Sequence, residues 1–225
     1  MTNSIKNILD TLIQKKDLNE RQSDILVKKI FDGKVDPIQT AIILTLMHLK
    51  GESFEEIYSF VKYLKYKSST LKLRGNFVDT CGTGGDNKNS FNFSTATSIL
   101  LSTFDIKIVK HGNRSITSKS GSFDVLESLG VKIFSDPKKI EKFFLKNNIC
   151  FLFAPYFHST LKNVADLRKS IPFRTIFNLL GPLLNPVKLK YQLLGVSNEK
   201  NLITHAKCLR KMNLKRGWVV YNENG

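Results

Sequence analysis

Apolar residues in the first seventy positions recur with the period of an α-helix. Two stripes at this spacing consist of Ile5, Ile8, Leu9, Leu12 and Ile13, and of Ile25, Leu26, Ile30 and Phe31. Residues three and four positions apart lie on one face of a helix, so each stripe predicts a helix that buries that face. Gly33 follows the second stripe and is a typical helix terminator.

Capping residues predict where further helices begin and end. The pairs Asp36–Pro37 and Asp136–Pro137 are each typical of an N-cap followed by a first helical residue. The helix that starts after Asp36 is predicted to end at Gly51. Ser53, followed three residues later by Glu56, predicts a capping box at the start of the next helix.

The pattern changes after Asn76, where short apolar segments alternate with helical ones. These segments are predicted strands and lie near residues 76–79, 106–110, 131–134, 150–154, 191–196 and 217–221. Such alternation is typical of an α/β fold with a mainly parallel sheet covered by helices. Ligands of these sheets bind beyond the carboxyl ends of the strands.

The composition indicates a globular chain with an excess of positive charge. The 225 residues carry a formal net charge of +16, but the lysines are spread over nearly every segment. We therefore expect an anionic small-molecule substrate and no nucleic-acid partner. No apolar run reaches the ~20 residues that span a bilayer, and no signal-peptide core is present, so no membrane partner is expected. The widely separated Cys81, Cys150 and Cys208 favour reduced thiols and a cytoplasmic location.

A glycine cluster follows the first predicted strand. It runs from Gly82 to Gly85, continues with Asp86 and leads through Ser90 into an apolar helix start at Phe93. Glycines let backbone amides approach a ligand, and a helix start adds unpaired N–H groups and a positive dipole end. The segment lacks the end of a Walker loop and the third glycine of a dinucleotide fingerprint. It predicts another kind of phosphate site, with a plain strand-to-helix turn as the alternative.

A second polar loop follows the next predicted strand. The segment from Lys110 to Ser122 contains two lysines, an arginine, two glycines and five hydroxyl residues. These groups donate hydrogen bonds to phosphate oxygens. Because neighbouring parallel strands end at one edge of a sheet, both loops are expected to converge on one doubly phosphorylated ligand. The alternative for either loop alone is a solvated turn.

Several segments together carry a family resemblance. They are Gly82–Asp86, Asn92–Thr95, Lys110–Ser115, Phe153–His158, Arg168 and Arg174–Pro186. Their sequences resemble those of anthranilate phosphoribosyltransferase, an enzyme of tryptophan biosynthesis. The resemblance extends from the first helices to the last residues, and the combination is specific.

The resemblance implies a fold and a reaction. It implies a small helical domain over residues 1–70, joined by helices near 159–180, and a larger α/β domain over residues 71–225. It also implies a homodimer formed through the helical domain and an active site in the cleft between the domains. The implied glycosyl transfer moves the phosphoribosyl group of phosphoribosyl pyrophosphate to the amine of anthranilate. This chemistry needs positioning and charge stabilisation rather than a strong base, so no acid/base residue is assigned.

Carried over position by position, the resemblance assigns two substrate sites. The phosphoribosyl pyrophosphate residues would be Gly82, Gly85, Asp86, Ser90, Asn92, Phe93, Ser94, Thr95, Lys110, His111, Gly112, Asn113, Arg114, Ser115, Ile116, Thr117, Ser118 and Ser122. Anthranilate would contact Gly82, Asn113 and Arg168, with the guanidinium on its carboxylate. Ser94 would also bind Mg²⁺, of which the family uses two ions. From the residues alone, Ser94 or Thr95 could be a helix cap and Arg168 a solvated side chain.

The chain departs from the family pattern in several places, and two of them bear directly on function. Phe123 stands where a small residue is expected, so its ring is expected to crowd the second loop. The strand near 217–221 resembles one that leads into an Asp-Glu pair holding a second magnesium ion, and the chain stops before that pair. The expectation is a C-terminally truncated member, either a fragment or the product of a truncated gene, with an incomplete sheet, residual substrate binding and poor turnover.

Two other functions remain open at this point. One is a nucleoside phosphorylase of a related fold, which phosphate-dependent cleavage of thymidine or uridine would identify. The other is a weakly active or non-catalytic remnant that retains the helical dimer surface.

Overall fold

Helices form the first part of the chain and strands enter after residue 77 in the computed structural model, which describes residues 3–84, 91–115 and 121–223. The helices are α1 (Asn3–Ile13), α2 (Glu20–Phe31), α3 (Pro37–Lys50), α4 (Phe54–Lys67), α5 (Phe93–Ser102), α6 (Ser122–Ser128), α7 (Pro137–Asn147), α8 (Ala154–Phe157), α9 (Ala165–Ser170), α10 (Ile176–Leu180) and α11 (Asn201–Lys211), with 3₁₀ helices at Ser159–Val164 and Gly181–Leu183. The strands are β1 (Val78–Gly82), β2 (Ile108–Gly112), β3 (Ile149–Phe153), β4 (Tyr191–Gly195) and β5 (Arg216–Val220). In these described ranges, no helix is long and apolar enough to cross a bilayer.

The chain divides into a helical unit and an α/β unit. The helical unit comprises Met1–Ser68 and His158–Leu180, and the α/β unit comprises Ser69–Phe157 and Gly181–Gly225. The helical unit therefore draws on two separate parts of the sequence.

Side-chain caps define where α3, α4 and α7 start. Asp36 and Asp136 each accept a hydrogen bond from the backbone N–H two residues further on, at 2.8 and 2.9 Å, with a proline between. Ser53 and Glu56 form a reciprocal capping box at α4. Gly51 ends α3 with a φ of +85°. Because these caps satisfy N–H groups that lack partners inside the helix, local sequence suffices to place them, and the predicted boundaries are confirmed.

Three aromatic rings close the core of the helical unit. The ring centroids of Phe31 on α2 and Phe60 on α4 lie 6.5 Å apart. Phe177 on α10 packs edge-on against both rings, at 6.1 and 5.9 Å. All three side chains are buried. Such aromatic contacts add to the hydrophobic burial that holds α10 against α2 and α4.

The five strands of the described residues form one parallel sheet in the order β3-β2-β1-β4-β5. The chain adds β2 and β3 on one side of β1, and then β4 and β5 on the other. In open parallel sheets, such a reversal creates a crevice at the carboxyl ends of the strands, where ligands bind. Gly82, Gly112 and Gly195 end β1, β2 and β4 at this edge. The predicted mainly parallel sheet is confirmed.

Side chains alternate between the two faces of the sheet. Val109 and Leu152 belong to a buried cluster with Phe144 of α7. Ile108, the neighbour of Val109, belongs instead to a cluster with Phe123 of α6. Both faces of β2 and β3 are therefore covered, as parallel strands require, whereas β5 is largely exposed.

The strand predicted near residues 131–134 is wrong, whereas the other predicted strands form with shifted ends. Val131 and Ile133 pack against the cluster around Phe123, so their alternation with polar residues reflects real burial. However, Val131 N donates to Leu126 O at 2.9 Å, which turns the backbone towards the end of α6. The position beside β2 is taken by β3, so this segment has no strand to pair with there.

Candidate active site

Two predicted ligand loops begin at neighbouring strand ends. The first leaves β1 at Gly82 and is described to Gly84, and the second leaves β2 at Gly112 and is described to Ser115. Because β1 and β2 pair in parallel, both loops start at the same edge of the sheet. The predicted ligand residues that lie outside the described residues are Gly85, Asp86, Ser90, Ile116, Thr117 and Ser118.

The first loop is bound to the end of β4. Thr83 N donates to Gly195 O at 2.9 Å, and Ser197 N donates to Thr83 Oγ1 at 3.1 Å. A Cβ atom at Gly82 would lie 3.3 Å from Gly195 O, so the two strand ends approach closely. Gly84 has a φ of +61°, which favours glycine. The loop backbone therefore lines the crevice between β1 and β4.

The first turn of α5 carries the next group of predicted ligand residues. Asn92 is the N-cap, since its Oδ1 accepts from Thr95 N at 3.4 Å and from Thr95 Oγ1 at 2.8 Å. The cap is therefore Asn92, and the alternative of Ser94 or Thr95 as the cap is wrong. Ser94 follows in the first turn, and the Phe93 side chain is exposed. A helix N-terminus carries a partial positive charge that favours an anion.

Lys110 is buried beneath this first turn. Lys110 is only 1% exposed to solvent. Its Nζ donates to Thr80 O at 2.8 Å and to Ser94 Oγ at 3.4 Å. Thr80 Oγ1 donates in turn to Ser94 O at 2.7 Å. A buried ammonium is costly unless polar or charged groups surround it. Lys110 therefore supplies a fixed positive charge below the loop and the helix start.

Asp79 supplies a counter-charge to Lys110. Its carboxyl is fully buried, and Asn185 Nδ2 donates to Asp79 Oδ2 at 2.9 Å and to Val109 O at 2.8 Å. Asn185 Oδ1 accepts from Val187 N at 2.9 Å, which fixes the orientation of the amide. Burial raises the pKa of Asp79 to about 6, against the lowering effects of Lys110 and of the Asn185 hydrogen bond. Burial likewise lowers the pKa of Lys110, and the Asp79 charge opposes that change.

The described ends of the second loop are held together by α6. Asp124 Oδ2 accepts from Ser115 N at 2.8 Å and from Gly121 N at 2.6 Å. Asn113 O accepts from Ser122 Oγ at 3.3 Å. A Cβ atom at Gly121 would lie 2.9 Å from Asn113 O, so glycine permits this approach. The predicted ligand residues Asn113, Ser115 and Ser122 are thus brought together.

Phe123 lies in the apolar core beneath the second loop. It is fully buried, and its ring centroid lies 5.0 Å from that of Phe153. A Cβ atom at Gly112 would clash with Ser122 Oγ and lie 3.1 Å from the Phe123 ring. The ring therefore fits under Gly112 instead of projecting into the described part of the loop. His111, another predicted ligand residue, is also buried.

Arg168 lies on α9 of the helical unit. It is half-buried, and its Cζ lies 5.2 Å from the centroid of the Phe177 ring. Within the described part of the chain, no carboxylate forms a salt bridge with it. Burial lowers the pKa of its guanidinium. A partly desolvated guanidinium without an internal counter-ion fits the carboxylate of a ligand.

Two residues that organise the loops were missed from the sequence. Asn185 belongs to a segment that carries the resemblance, but nothing local predicts its contact with Asp79, 106 positions earlier. Asp124 stands three positions after Gly121, and this capping-box spacing before an apolar helix could have identified it.

The described residues offer little to a metal ion by themselves. Among them, no group of three or more His, Cys, Asp or Glu side chains could hold one. Ser94 provides a single hydroxyl oxygen, and the Lys110 ammonium lies 3.4 Å from it. Mg²⁺ in enzymes is commonly bound through substrate phosphates together with few protein ligands. Ser94 therefore fits as one ligand of an ion that is held mainly by a phosphorylated substrate.

The sequence matches a glycosyl transferase family over both units. Residues 6–67 match the family's helical bundle domain, and residues 74–225 match its a/b domain. The chain belongs to this glycosyl transferase family. The relatives and solved structures that it matches are anthranilate phosphoribosyltransferases, which confirms the resemblance drawn from the motifs.

Identity to these proteins is substantial over nearly the whole chain. The relative from Caldicellulosiruptor saccharolyticus is 43% identical over 98% of this chain and 66% of its own length. The relative from Prochlorococcus marinus NATL2A is 44% identical over 97% of this chain and 64% of its own length. The chain thus spans slightly less than two thirds of the length of these relatives.

Solved structures agree with the fold. The enzyme from Thermus thermophilus superimposes with a TM-score of 0.87 at 32% identity, over 97% of this chain and 66% of that one. The Saccharomyces cerevisiae enzyme in complex with PRPP and Mg has a TM-score of 0.89 at 27% identity, over 100% and 67% of the two chains. Another structure of the yeast enzyme contains 4-fluoroanthranilate, with a TM-score of 0.83 at 26% identity over 98% and 64%.

The raised pKa of Asp79 predicts a dependence of stability on pH. Between the unfolded pKa near 3.9 and the folded pKa of about 6, the folded state binds more protons. Stability therefore falls as pH rises through this window. Relative to Asp79→Asn, the parent should lose roughly 2–3 kcal/mol of unfolding free energy between about pH 4 and about pH 7. Urea unfolding at several pH values measures this difference, and parallel pH profiles for both proteins would contradict the assignment.

Proposed function

We propose that this chain binds phosphoribosyl pyrophosphate and transfers its phosphoribosyl group to the amine of anthranilate. The products are N-(5-phosphoribosyl)anthranilate and pyrophosphate, as in tryptophan biosynthesis. The proposal extends the family membership to the substrates named for the relatives and for the yeast structures.

The buried ammonium of Lys110 is the observation that carries the proposal. It lies under the N-terminus of α5, with its Nζ 3.4 Å from Ser94 Oγ. The helix start and the first loop meet this charge at the carboxyl edge of β1 and β2. Backbone N–H groups, a hydroxyl and a fixed cation are the groups that bind an anion such as pyrophosphate.

These groups suit a reaction in which pyrophosphate departs. As the bond from ribose C1 to the pyrophosphate oxygen breaks, negative charge grows on the leaving group and C1 becomes oxocarbenium-like. Lys110 and the α5 N-terminus are oriented in advance, so they stabilise that charge without reorganising. The aniline nitrogen then forms the bond to C1 and releases a proton to solvent. A modest nucleophile held in position needs no strong base.

Magnesium belongs to the proposal through the bound pyrophosphate. Ser94 would be its protein ligand within the described residues, and a bound ion would supply further positive charge to the phosphate oxygens. The second ion implied by the resemblance has no ligand group in that part of the chain. The protein side of the site therefore depends on Lys110, Ser94 and the loop backbone.

Arg168 supports the choice of anthranilate as acceptor. Its guanidinium is half-buried on the Phe177 ring and has no salt bridge within the described residues. A planar fork matches a carboxylate in two parallel hydrogen bonds. An aromatic acid would thus offset a desolvation cost that the helical unit leaves uncompensated.

An exposed apolar face of the helical unit supports a homodimer. On α3, the side chains of Ile38, Ile42 and Leu49 are 72%, 46% and 74% exposed. Their positions follow helical spacing, so they lie on one side of α3. Apolar patches of this kind mark interaction surfaces in soluble proteins.

We include a cytoplasmic location in the proposal because Cys81, Cys150 and Cys208 are free thiols.

A turnover assay tests the reaction directly. The purified chain is mixed with anthranilate, phosphoribosyl pyrophosphate and Mg²⁺, and the loss of anthranilate fluorescence is followed. Loss that requires all three components supports the transferase. Calorimetric titration with each substrate separates binding from turnover. Phosphate-dependent release of thymine from thymidine, without loss of anthranilate, would support the phosphorylase instead.

Gly84→Val should weaken phosphoribosyl pyrophosphate binding. Gly84 has a φ of +61°, where a β-branched residue is strained by roughly 1–3 kcal/mol, and the side chain would also face the approaching phosphate. We expect affinity to fall by about tenfold or more in calorimetric titration. Gly33→Val is the matched control, because Gly33 has a φ of +68° and lies in the helical unit. Equal affinities of Gly84→Val and the parent would exclude a phosphate contact at this loop.

Arg168→Ala should weaken anthranilate binding and spare phosphoribosyl pyrophosphate. Removal of a charged hydrogen-bond partner from a partly desolvated site costs roughly 1.5–3 kcal/mol. Arg168→Lys keeps the charge without the fork and should give an intermediate affinity. Unchanged anthranilate affinity in a folded Arg168→Ala protein would assign Arg168 a solvated role only.

Ile42→Glu should convert the dimer to a monomer. Burial of a carboxylate in an apolar interface leaves a charge without a partner, which disfavours association. Sedimentation velocity measures the change in oligomeric state. Ile203→Glu is the control, because Ile203 is an exposed apolar residue on α11 of the α/β unit. A parent chain that sediments as a monomer would contradict the proposal.

A further inference from the structure

An acidic pair on α6 contacts the second loop from below. Asp124 and Glu127 are three positions apart, so they lie on one face of the helix. Asp124 binds the backbone of the loop through Ser115 N and Gly121 N. Glu127 binds the side chain of Arg114, the arginine of that loop. One residue of the pair thus fixes the backbone and the other fixes a side chain.

The contact between Arg114 and Glu127 has two parallel hydrogen bonds. Arg114 Nε donates to Glu127 Oε2 at 3.0 Å, and Arg114 Nη2 donates to Glu127 Oε1 at 2.7 Å. This bidentate geometry fixes the plane of the guanidinium as well as its position. The hydrogen bond and charge of Arg114 lower the pKa of Glu127, so the carboxylate is ionised at neutral pH.

The guanidinium also lies over an aromatic ring. Arg114 Cζ lies 4.9 Å from the centroid of the Phe153 ring, at the carboxyl end of β3. The Phe153 ring packs against the rings of Phe123 and Tyr156, with centroid distances of 5.0 and 5.1 Å. The Phe153 ring under Arg114 is therefore held in part by Phe123, the residue that stands where the family has a small one.

One edge of the guanidinium is not used by Glu127. A guanidinium has five N–H groups, and Glu127 uses one on Nε and one on Nη2. Within the described residues, the Nη1 edge meets no hydrogen-bond acceptor. Both side chains are exposed at the surface, where an ion pair contributes little to folding stability unless its geometry is ideal. The bidentate contact therefore fixes the orientation of Arg114 in addition to any contribution to stability.

We propose that Glu127 is a positioning residue, which with Phe153 orients Arg114 so that its Nη1 edge faces the pyrophosphate of phosphoribosyl pyrophosphate. This inference rests on the proposed function, because it takes Arg114 as a ligand contact. Arg side chains lose considerable rotamer freedom on binding, and a side chain that is ordered beforehand loses less of it. Glu127 therefore increases affinity although it carries the same sign of charge as the ligand.

A double-mutant cycle in ligand binding tests the positioning role. The parent, Glu127→Gln, Arg114→Ala and the double variant are titrated with phosphoribosyl pyrophosphate and Mg²⁺ at near-physiological ionic strength, which limits long-range repulsion. Glu127→Gln keeps the side-chain size and should weaken binding about three- to fivefold. In the Arg114→Ala background, the same substitution should leave the affinity unchanged, because Glu127 acts through Arg114.

Control variants separate this role from a structural one. Asp24→Asn removes one partner of Lys62, another surface ion pair at 2.7 Å in the helical unit, and should not change affinity. Thermal unfolding shows whether Glu127→Gln folds like the parent. Glu127→Asp keeps the charge on a shorter side chain and should recover part of the affinity.

Each outcome decides between distinct explanations. Tighter binding by Glu127→Gln would show that Glu127 competes with the phosphate for Arg114, which overturns the proposal. Glu127→Gln could weaken phosphoribosyl pyrophosphate binding equally in the parent and in the Arg114→Ala background. This result would assign Glu127 a structural role and would also overturn the proposal. If the parent binds no phosphoribosyl pyrophosphate, the proposed function fails and the positioning role fails with it. If the parent binds but Glu127→Gln has no effect, only the positioning role fails.

Discussion

The burial of the Lys110 ammonium is the constraint on which the α/β unit depends. Removal of an ion from water costs several kcal/mol, and this cost must be offset by partners held in place. Thr80 O and Ser94 Oγ accept its hydrogen bonds, and Asp79 supplies the opposite charge. Asp79 is held in turn by Asn185, which also binds β2. The same contacts therefore join β1, β2 and α5 and hold the ammonium group at the edge where the ligand loops begin.

This arrangement explains why a destabilised carboxyl persists in the core. The raised pKa of Asp79 shows that its ionised form is disfavoured by burial. Replacement of the pair by apolar residues would remove that cost, as is often found for buried ion pairs. The pair is understandable if the charge of Lys110 has a use outside folding, and the proposed binding of an anionic leaving group at the start of α5 would provide one.

Sequence reasoning was most successful where structure is determined locally. The caps at Asp36, Ser53 and Asp136 depend on residues within three positions, and the glycine loops stand next to their strands. It failed for residues 131–134, because burial alternates there without a strand to pair with. It also missed the contact between Asn185 and Asp79, because a pattern along the chain cannot specify which polar groups meet across 106 positions. The predicted residues from Gly85 to Ser90 and from Ile116 to Ser118 lie outside the described residues, so their roles stay predictions.

The three candidate cations differ in what balances their charge, and this difference bears on the substrate. Lys110 has Asp79, and Arg114 has Glu127, so each is compensated before a ligand binds. Arg168 has only the face of Phe177 and no salt bridge within the described residues. A ligand carboxylate would compensate Arg168, whereas the neutral base of a nucleoside has no negative charge to balance it. Charge balance therefore favours an aromatic acid over a nucleoside as the second substrate.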